Sequence, residues 1–230
     1  LEPQPVHIVV TLPLAEFYDN KNQPHMENIN RKKESLLRKI NVIGGEGFTI
    51  GKVTVSPESI PAAISRLGLL DNDDSLLVVD LGGTTLDVSL VQGRKARVVK
   101  VKGDRNVGVS SVTYELMNTL TATKNKTSWA MAEKMIQQRA NDDFLRGRLI
   151  HKDSLPQIKQ TIDTAVKGLS ANVNEFIAAF EGYTHIAVVG GGATLVADAV
   201  KQKTGMPDSN FFVSDNPQFD LVSGLQLLVR

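Results

Sequence analysis

The chain has 230 residues, 41% of them hydrophobic, enough for one large core or two small ones. Lys and Arg number 26 against 25 Asp and Glu, a balance with no broad electrostatic bias toward nucleic acid or an anionic membrane. The absence of cysteine excludes a disulfide framework and thiolate metal sites and fits a reducing cytoplasm; the four histidines lack metal-ligand spacing, and no apolar run approaches the roughly 20 residues of a membrane span.

In chain order, "LEPQPVHIVVTLPL" has no basic n-region and no long apolar core, so it does not read as a signal peptide. It has no initial methionine either, and reads as cut from something longer. "VHIVVTLPL" predicts a short buried strand ended by Pro13. A polar loop follows, then a helix with Ile29, Leu36, Leu37 and Ile40 on one face. "NVIGGEGFTIGKVTVSPE" predicts two strands around a glycine turn, with a break at Gly51. Ile60 to Leu70 predicts a helix, and "LDNDDS" a charged loop that is a candidate subdomain boundary. Three strands come next in close order: Leu76–Asp80, Leu86–Val91 and Ala96–Val101. The loop "GDRNVGVSS" leads into a helix through about Leu120. Further helices are expected over Ser128 to about Leu145 and Leu155 to Phe180. "THIAVVGGGATLVADAVKQKTG" reads as strand, three glycines, helix and a Gly205 C-cap, and the tail ends in a helix. Strands alternating with helices make this an α/β chain.

Four stretches could carry chemistry. In "DLGGTT", Asp80 ends an apolar strand and Gly82, Gly83, Thr84 and Thr85 follow. Backbone N–H groups in such a turn form a concave anion site, threonine hydroxyls add donors, and an aspartate beside a phosphate can hold Mg²⁺ directly or through water. An ordinary hairpin with a capping carboxylate would use the same residues. In "VVGGGATLV", Gly190, Gly191 and Gly192 open a helix, an arrangement that brings backbone against a nucleotide or simply packs a helix against a strand. In "SPESIPAA", Glu58 sits at a strand end beside two prolines, where it could orient or deprotonate a water or serve as a first-turn helix glutamate. "KGDRNVGVS", containing Asp104, is a glycine-bounded loop before a helix.

In this order the four motifs resemble the later part of the actin and DnaK-type chaperone ATPase superfamily. There D-x-G-G-T-T is the second phosphate loop and G-G-G the adenosine loop. Within the superfamily, "TLPLAEFYDNKNQPHMENINRKK", "VSPESIPA", "LLVVDLGGTTLDVS", "GYTHIAVVGGGATLV" and "FDLVSGLQLL" resemble the plasmid-segregation actins of the ParM/StbA type nearly end to end. The resemblance implies an actin-like ATPase fold with ribonuclease H-like lobes. It implies binding of ATP and ADP with Mg²⁺ in the bacterial cytoplasm and polymerisation into polar filaments. A ParR-like adaptor on centromeric plasmid DNA would capture those filaments, with no direct contact of this chain to nucleic acid or membrane. Asp80 would act on the metal and its waters. Gly82, Gly83, Thr84 and Thr85 would hold the β- and γ-phosphates, Glu58 would position the hydrolytic water, and Gly190 to Gly192 would pack against adenosine. Asp104 lies in the matching G-D loop and is counted by the resemblance among the nucleotide-binding residues, its part there undefined.

The family's first phosphate loop has no counterpart here, so roughly the first third of such a protein is expected to be missing. The remainder would be part of the first lobe, residues 1–72 with 219–230, and the second lobe, residues 73–218. Alone, the 230 residues are expected to show negligible ATPase activity, weak nucleotide binding at best and no regular filaments. Two alternatives stand beside this reading: a small-molecule kinase of the same superfamily, for which no substrate-pocket signature is visible, and a non-catalytic assembly protein that keeps the fold.

Overall fold

The apolar run that ends at Asp80 forms the central strand of a five-stranded sheet. The structure, a computed structural model, describes residues 5–41, 43–45 and 47–228. In spatial order the sheet runs β6 (Arg97–Asp104), β5 (Leu86–Gln92), β4 (Ser75–Leu81), β7 (His185–Val189) and β8 (Phe211–Val213). β4, β5 and β6 form an antiparallel meander, while β7 lies parallel to β4, and β8 parallel to β7. Parallel neighbours need crossovers, and helices supply them. α4 (Ser110–Ala122), α5 (Trp129–Gln137), α6 (Asp142–Gly147) and α7 (Leu155–Ile177) lie between β6 and β7, and α8 (Ala193–Thr204) lies between β7 and β8.

Successive strand residues point to opposite faces. Leu77, Val79, Leu81, Leu86, Val88, Leu90, Ile186 and Val188 form one face, a single core with buried residues of α4 to α8. On α7 the core residues Ile158, Ile162, Leu169, Val173 and Phe176 recur at helical spacing. The other, inner face carries Leu76, Val78, Val91, Ala187 and Val189. It packs on a 3-10 turn (Ile60–Ala63) and on Leu67 of α3 (Ile64–Leu67). α9 (Asp220–Leu228) closes over that turn so tightly that a Cβ on Gly224 would stand 1.7 Å from the Pro61 carbonyl oxygen.

A second, three-stranded sheet has β3 (Phe48–Pro57) at its centre, parallel to β1 (Val6–Leu12) and antiparallel to β2 (Lys39–Ile40). Leu12, Phe17, Ile29, Ile50, Val53 and Val55 make its core with α1 (Leu14–Phe17) and α2 (Met26–Leu36).

Several expected boundaries move. The first amphipathic helix stops at Leu36, because the chain turns non-helical at Leu37 (ψ 66°) and carries Ile40 into a pairing with β3. Leu37 is exposed. β1 is less buried than expected, since most of its residues are only half-covered. Gly51 interrupts no strand: β3 runs through it, and the β1 register shifts opposite it, between Val6 and His7. The helix expected over Ile60 to Leu70 is a 3-10 turn and one α turn, broken at Ala63 (φ −101°, ψ 8°). The helix expected over Ser128 to Leu145 is two helices, because the Asn141 side chain accepts from the Phe144 N–H and starts a new one. β6 extends to Asp104, so Gly103 and Asp104 belong to a strand rather than a loop. Gly205 does cap α8, at φ +64°.

Candidate functional site

The inner face of the central sheet is apolar until its last pairs. Cross-strand partners on β4 and β5 run Leu76 with Val91, Val78 with Ser89, and Asp80 with Asp87. The apolar face thus becomes a row of polar groups at one end. Gly103 lies opposite Asp87 on β6, where a Cβ would approach Asp87 Oδ1 to 2.7 Å. The acids are held by backbone donors. Ser59 N–H donates to Asp80 Oδ2 at 3.1 Å, and Leu14 N–H donates to Asp87 Oδ1 at 3.1 Å. Asp87 is buried, and Asp80 is half-buried.

Burial pushes the Asp80 carboxyl up to about 7, and the negative charges of Asp87 and Glu58 push the same way. Asp87 is pushed up to about 6, again chiefly by burial, against the Leu14 hydrogen bond. Crowded carboxylates with too little compensating charge are a common arrangement where a cation or an acid–base step belongs.

Glu58 follows β3. Its N–H donates to the Leu12 carbonyl at 2.9 Å, and Thr11 Oγ1 donates to Glu58 Oε1 at 3.1 Å. Burial raises its pKa, and the Thr11 hydrogen bond opposes the rise. The next residue, Ser59, has φ 71° and ψ −68°, and Ile60 N–H reaches back to the Glu58 carbonyl at 2.9 Å. This is the strained form of the γ-turn. The Ser59 and Ser89 hydroxyls meet at 2.9 Å, both fully buried.

The two glycine turns lie against each other. In the first, Gly82 N–H donates to the Thr85 carbonyl at 2.8 Å, so that amide is used inside the turn. Gly83 and Thr84 are exposed, and among the described residues their N–H groups meet no backbone carbonyl. The turn is stapled to the start of α4: Val109 N–H donates to the Gly82 carbonyl at 3.1 Å and Ser110 N–H to the Gly83 carbonyl at 2.7 Å. This contact needs Gly108, whose Cβ would stand 2.5 Å from the Gly83 oxygen. In the second turn Gly190 has φ +85°, and its Cβ would meet Asp80 Oδ1 at 2.3 Å. Gly192 N–H donates to the Leu81 carbonyl at 2.8 Å. Gly191 is different: a Cβ there would meet nothing closer than Gln218 Cγ, at 4.0 Å.

Asp80, Glu58 and the two glycine turns therefore come together. Asp104 does not join Asp80 and Asp87. It pairs with Leu86, on the helix-side face, and its Oδ1 accepts from the Asn106 N–H at 2.8 Å. Sequence reasoning missed Thr11, Ser59, Asp87 and Ser89, and took Gly108 only as the end of a loop before a helix. The signal for two of them was present: in "TLDVSLV" an aspartate and a serine occupy alternate positions of a buried strand. A concavity of about 790 Å³ on α6 and α7, lined by Arg146, Lys152 and Lys159 among others, shares no residue with the glycine turns.

Among the described residues no group of three or more metal-ligating side chains could hold an ion by itself. Mg²⁺ bound through substrate phosphates keeps several waters and takes one or two carboxylates. Asp80, beside a turn with unused amides, fits that mode.

Two family models cover the chain. The N-terminal model of the plasmid segregation protein ParM matches residues 1–68 and the C-terminal model matches residues 70–228. The chain belongs to the ParM plasmid-segregation family. Its fold is actin-like. A 15-stranded ParM filament from Clostridium botulinum is 18% identical, with TM-score 0.68 over 95% of this chain and 65% of that one. A non-polymerisable quadruple mutant of pCBH ParM is 17% identical, with TM-score 0.70 over 97% and 67%. An archaeal actin homolog in complex with ADP is 16% identical, with TM-score 0.70 over 97% and 72%. The chain thus spans about two thirds of the length of the ParM structures it matches. No curated protein sequence matches it. Among the described residues no helix is long and apolar enough to cross a membrane.

Proposed function

We propose that the protein carrying this chain binds ATP with Mg²⁺, polymerises into polar filaments and hydrolyses the nucleotide as the filaments turn over. The observation that carries the proposal is the meeting of Asp80, Glu58 and the two glycine turns at one end of the sheet. The family assignment supports plasmid segregation as the setting; in our reading the filaments act in a bacterial cytoplasm and a ParR-like adaptor on centromeric DNA captures their ends. Residues 1–72 with 219–230 would belong to one lobe and 73–218 to the other, with the nucleotide between them.

Phosphoryl transfer needs positioning and charge neutralisation more than covalent help from the protein. The Gly83 and Thr84 amides and the Thr84 and Thr85 hydroxyls are the donors for the β- and γ-phosphates. Gly82 contributes a close backbone approach, since its amide is already used. The metal, when bound, supplies the charge neutralisation that these groups leave incomplete. Asp80 would hold the metal, directly or through water, and Glu58 would accept a proton or a hydrogen bond from the attacking water. Gly191 provides open space against adenosine.

Phosphate release and sedimentation of the full-length protein test the reading together. ATP with Mg²⁺ should give both pelleted polymer and released phosphate. Glu58→Ala should still bind ATP and polymerise, with hydrolysis slowed on the order of 10²–10⁴-fold and filaments that persist. Parental turnover in that variant would return Glu58 to a helix-start residue. Neither polymer nor phosphate from the unaltered protein would overturn the function.

A further inference from the structure

We infer that Ser89 is a positioning residue for Glu58, acting through the hydroxyl of Ser59. The inference rests on the reading of Glu58 as the group that orients water.

Ser59 holds a left-handed backbone (φ 71°, ψ −68°) that glycine adopts freely and a side-chain-bearing residue adopts only under strain. Such a conformation persists where the surroundings over-determine it. Here two partners do so. Asp80 Oδ2 accepts from the Ser59 N–H at 3.1 Å, and the Ser59 hydroxyl lies 2.9 Å from the Ser89 hydroxyl. Ser89 stands at a position where the inner face is otherwise apolar, opposite Val78 and with no exposed surface. A buried hydroxyl in such a place is costly unless it is hydrogen-bonded, and its bond goes to the turn that carries Glu58. Pro57 and Pro61 flank that turn, and Thr11 holds the Glu58 carboxylate from β1. The Glu58 carbonyl is closed on the Ile60 N–H, so any change at Ser59 rotates Glu58 itself.

The two anchors of Ser59 differ in kind. Asp80 is an acid next to the phosphate turn, and a bound cation would draw on the same carboxylate that accepts from the Ser59 amide. Ser89 is a neutral hydroxyl on a fully paired strand, away from the ligand. Ser89 therefore keeps the Glu58 turn in place while Asp80 engages the ligand.

Ser89→Ala in the full-length protein should lower kcat for ATP hydrolysis about 10- to 100-fold, the scale of a small misplacement of a reacting group. KM for ATP should stay within about twofold, because no group assigned to binding is altered. Adding Ser89→Ala to Glu58→Ala should lower kcat no further, since both act through one side chain. Parental kcat in Ser89→Ala overturns the inference. So does a full further loss in the double variant, or a kcat loss that comes with an equal rise in KM. If the unaltered protein hydrolyses no ATP, or Glu58→Ala is fully active, the reading of Glu58 has failed. The crystal structure of Ser89→Ala then decides the positioning claim alone: Ser59 leaving positive φ supports it, and an unchanged turn overturns it.

Discussion

The two faces of the central strand pair, β4 and β5, are built from the same residues in alternation and part company at the end that carries Asp80 and Asp87. On the helix side β4 and β5 are aliphatic and buried from the Leu77–Leu90 pair to the Leu81–Leu86 pair: Leu77, Val79, Leu81, Leu86, Val88 and Leu90. On the inner side the series starts equally apolar, with Leu76, Val78 and Val91, then becomes Ser89, Asp80 and Asp87. The polar end coincides with the turn of Glu58 and with both glycine turns. One strand pair thus carries the core and the chemistry on opposite sides. The departure from apolar pattern, more than the glycines, marks the site.

The largest stability effect should come from the helix face. Leu77→Ala, at a fully buried position, should cost about 2–5 kcal/mol in denaturant unfolding. A markedly smaller loss would mean that this face tolerates voids, and the contrast between the faces would weaken.

The next effect is one of pH, and it belongs to the inner face. The folded-state pKa of Asp80 is raised from 3.8 to about 7 and that of Asp87 from 3.8 to about 6. A carboxyl raised on folding favours the folded state while protonated and opposes it once ionised. The ligand-free protein should therefore lose stability as pH rises from about 4 to about 7. Thermal denaturation across that range should show the decline, and Asp80→Asn should remove much of it. A flat profile would mean that the acids sit in a better-solvated site than their burial implies.

The smallest stability effect should come from Gly191→Val. A side chain there meets open space, so the melting temperature should barely move, within the roughly 0.5 kcal/mol usual for a harmless surface change. Its calorimetric affinity for ATP should fall about tenfold or more, as expected if a branched side chain occupies ligand space at a cost near 1.4 kcal/mol. Unchanged affinity would assign the whole glycine triplet to packing, the role that Gly190 and Gly192 already have through their contacts with Asp80 and Leu81.

Much of the fold was legible. The three meander strands, the long helix over Leu155–Ile177 and the Gly205 cap follow from periodicity and turn residues alone. Short elements were not, because tertiary pairing overrides a weak local preference there: β2 captures Ile40 from an apparent helix face, and Asn141 divides another. In the site, Asp80 and Glu58 stood at strand ends where an acid needs a reason. Ser59 was hidden because its role lies in a backbone angle that residue type does not announce. The placement of Asp104 was hidden for a different reason. Its neighbour Gly103 shares the inner face with Asp87, but the strand period sends the Asp104 side chain to the other side.

The most direct measurement is Mg²⁺-dependent phosphate release by the full-length protein and by its Asp80→Asn variant, compared at matched melting behaviour. If the polar end of the inner face is a nucleotide site, the unaltered protein releases phosphate from ATP only with Mg²⁺. Asp80→Asn should then fold normally and lose at least about 10²-fold in rate, the scale of one preorganised charged group. Normal turnover in Asp80→Asn would contradict the account and leave "DLGGTT" an ordinary hairpin.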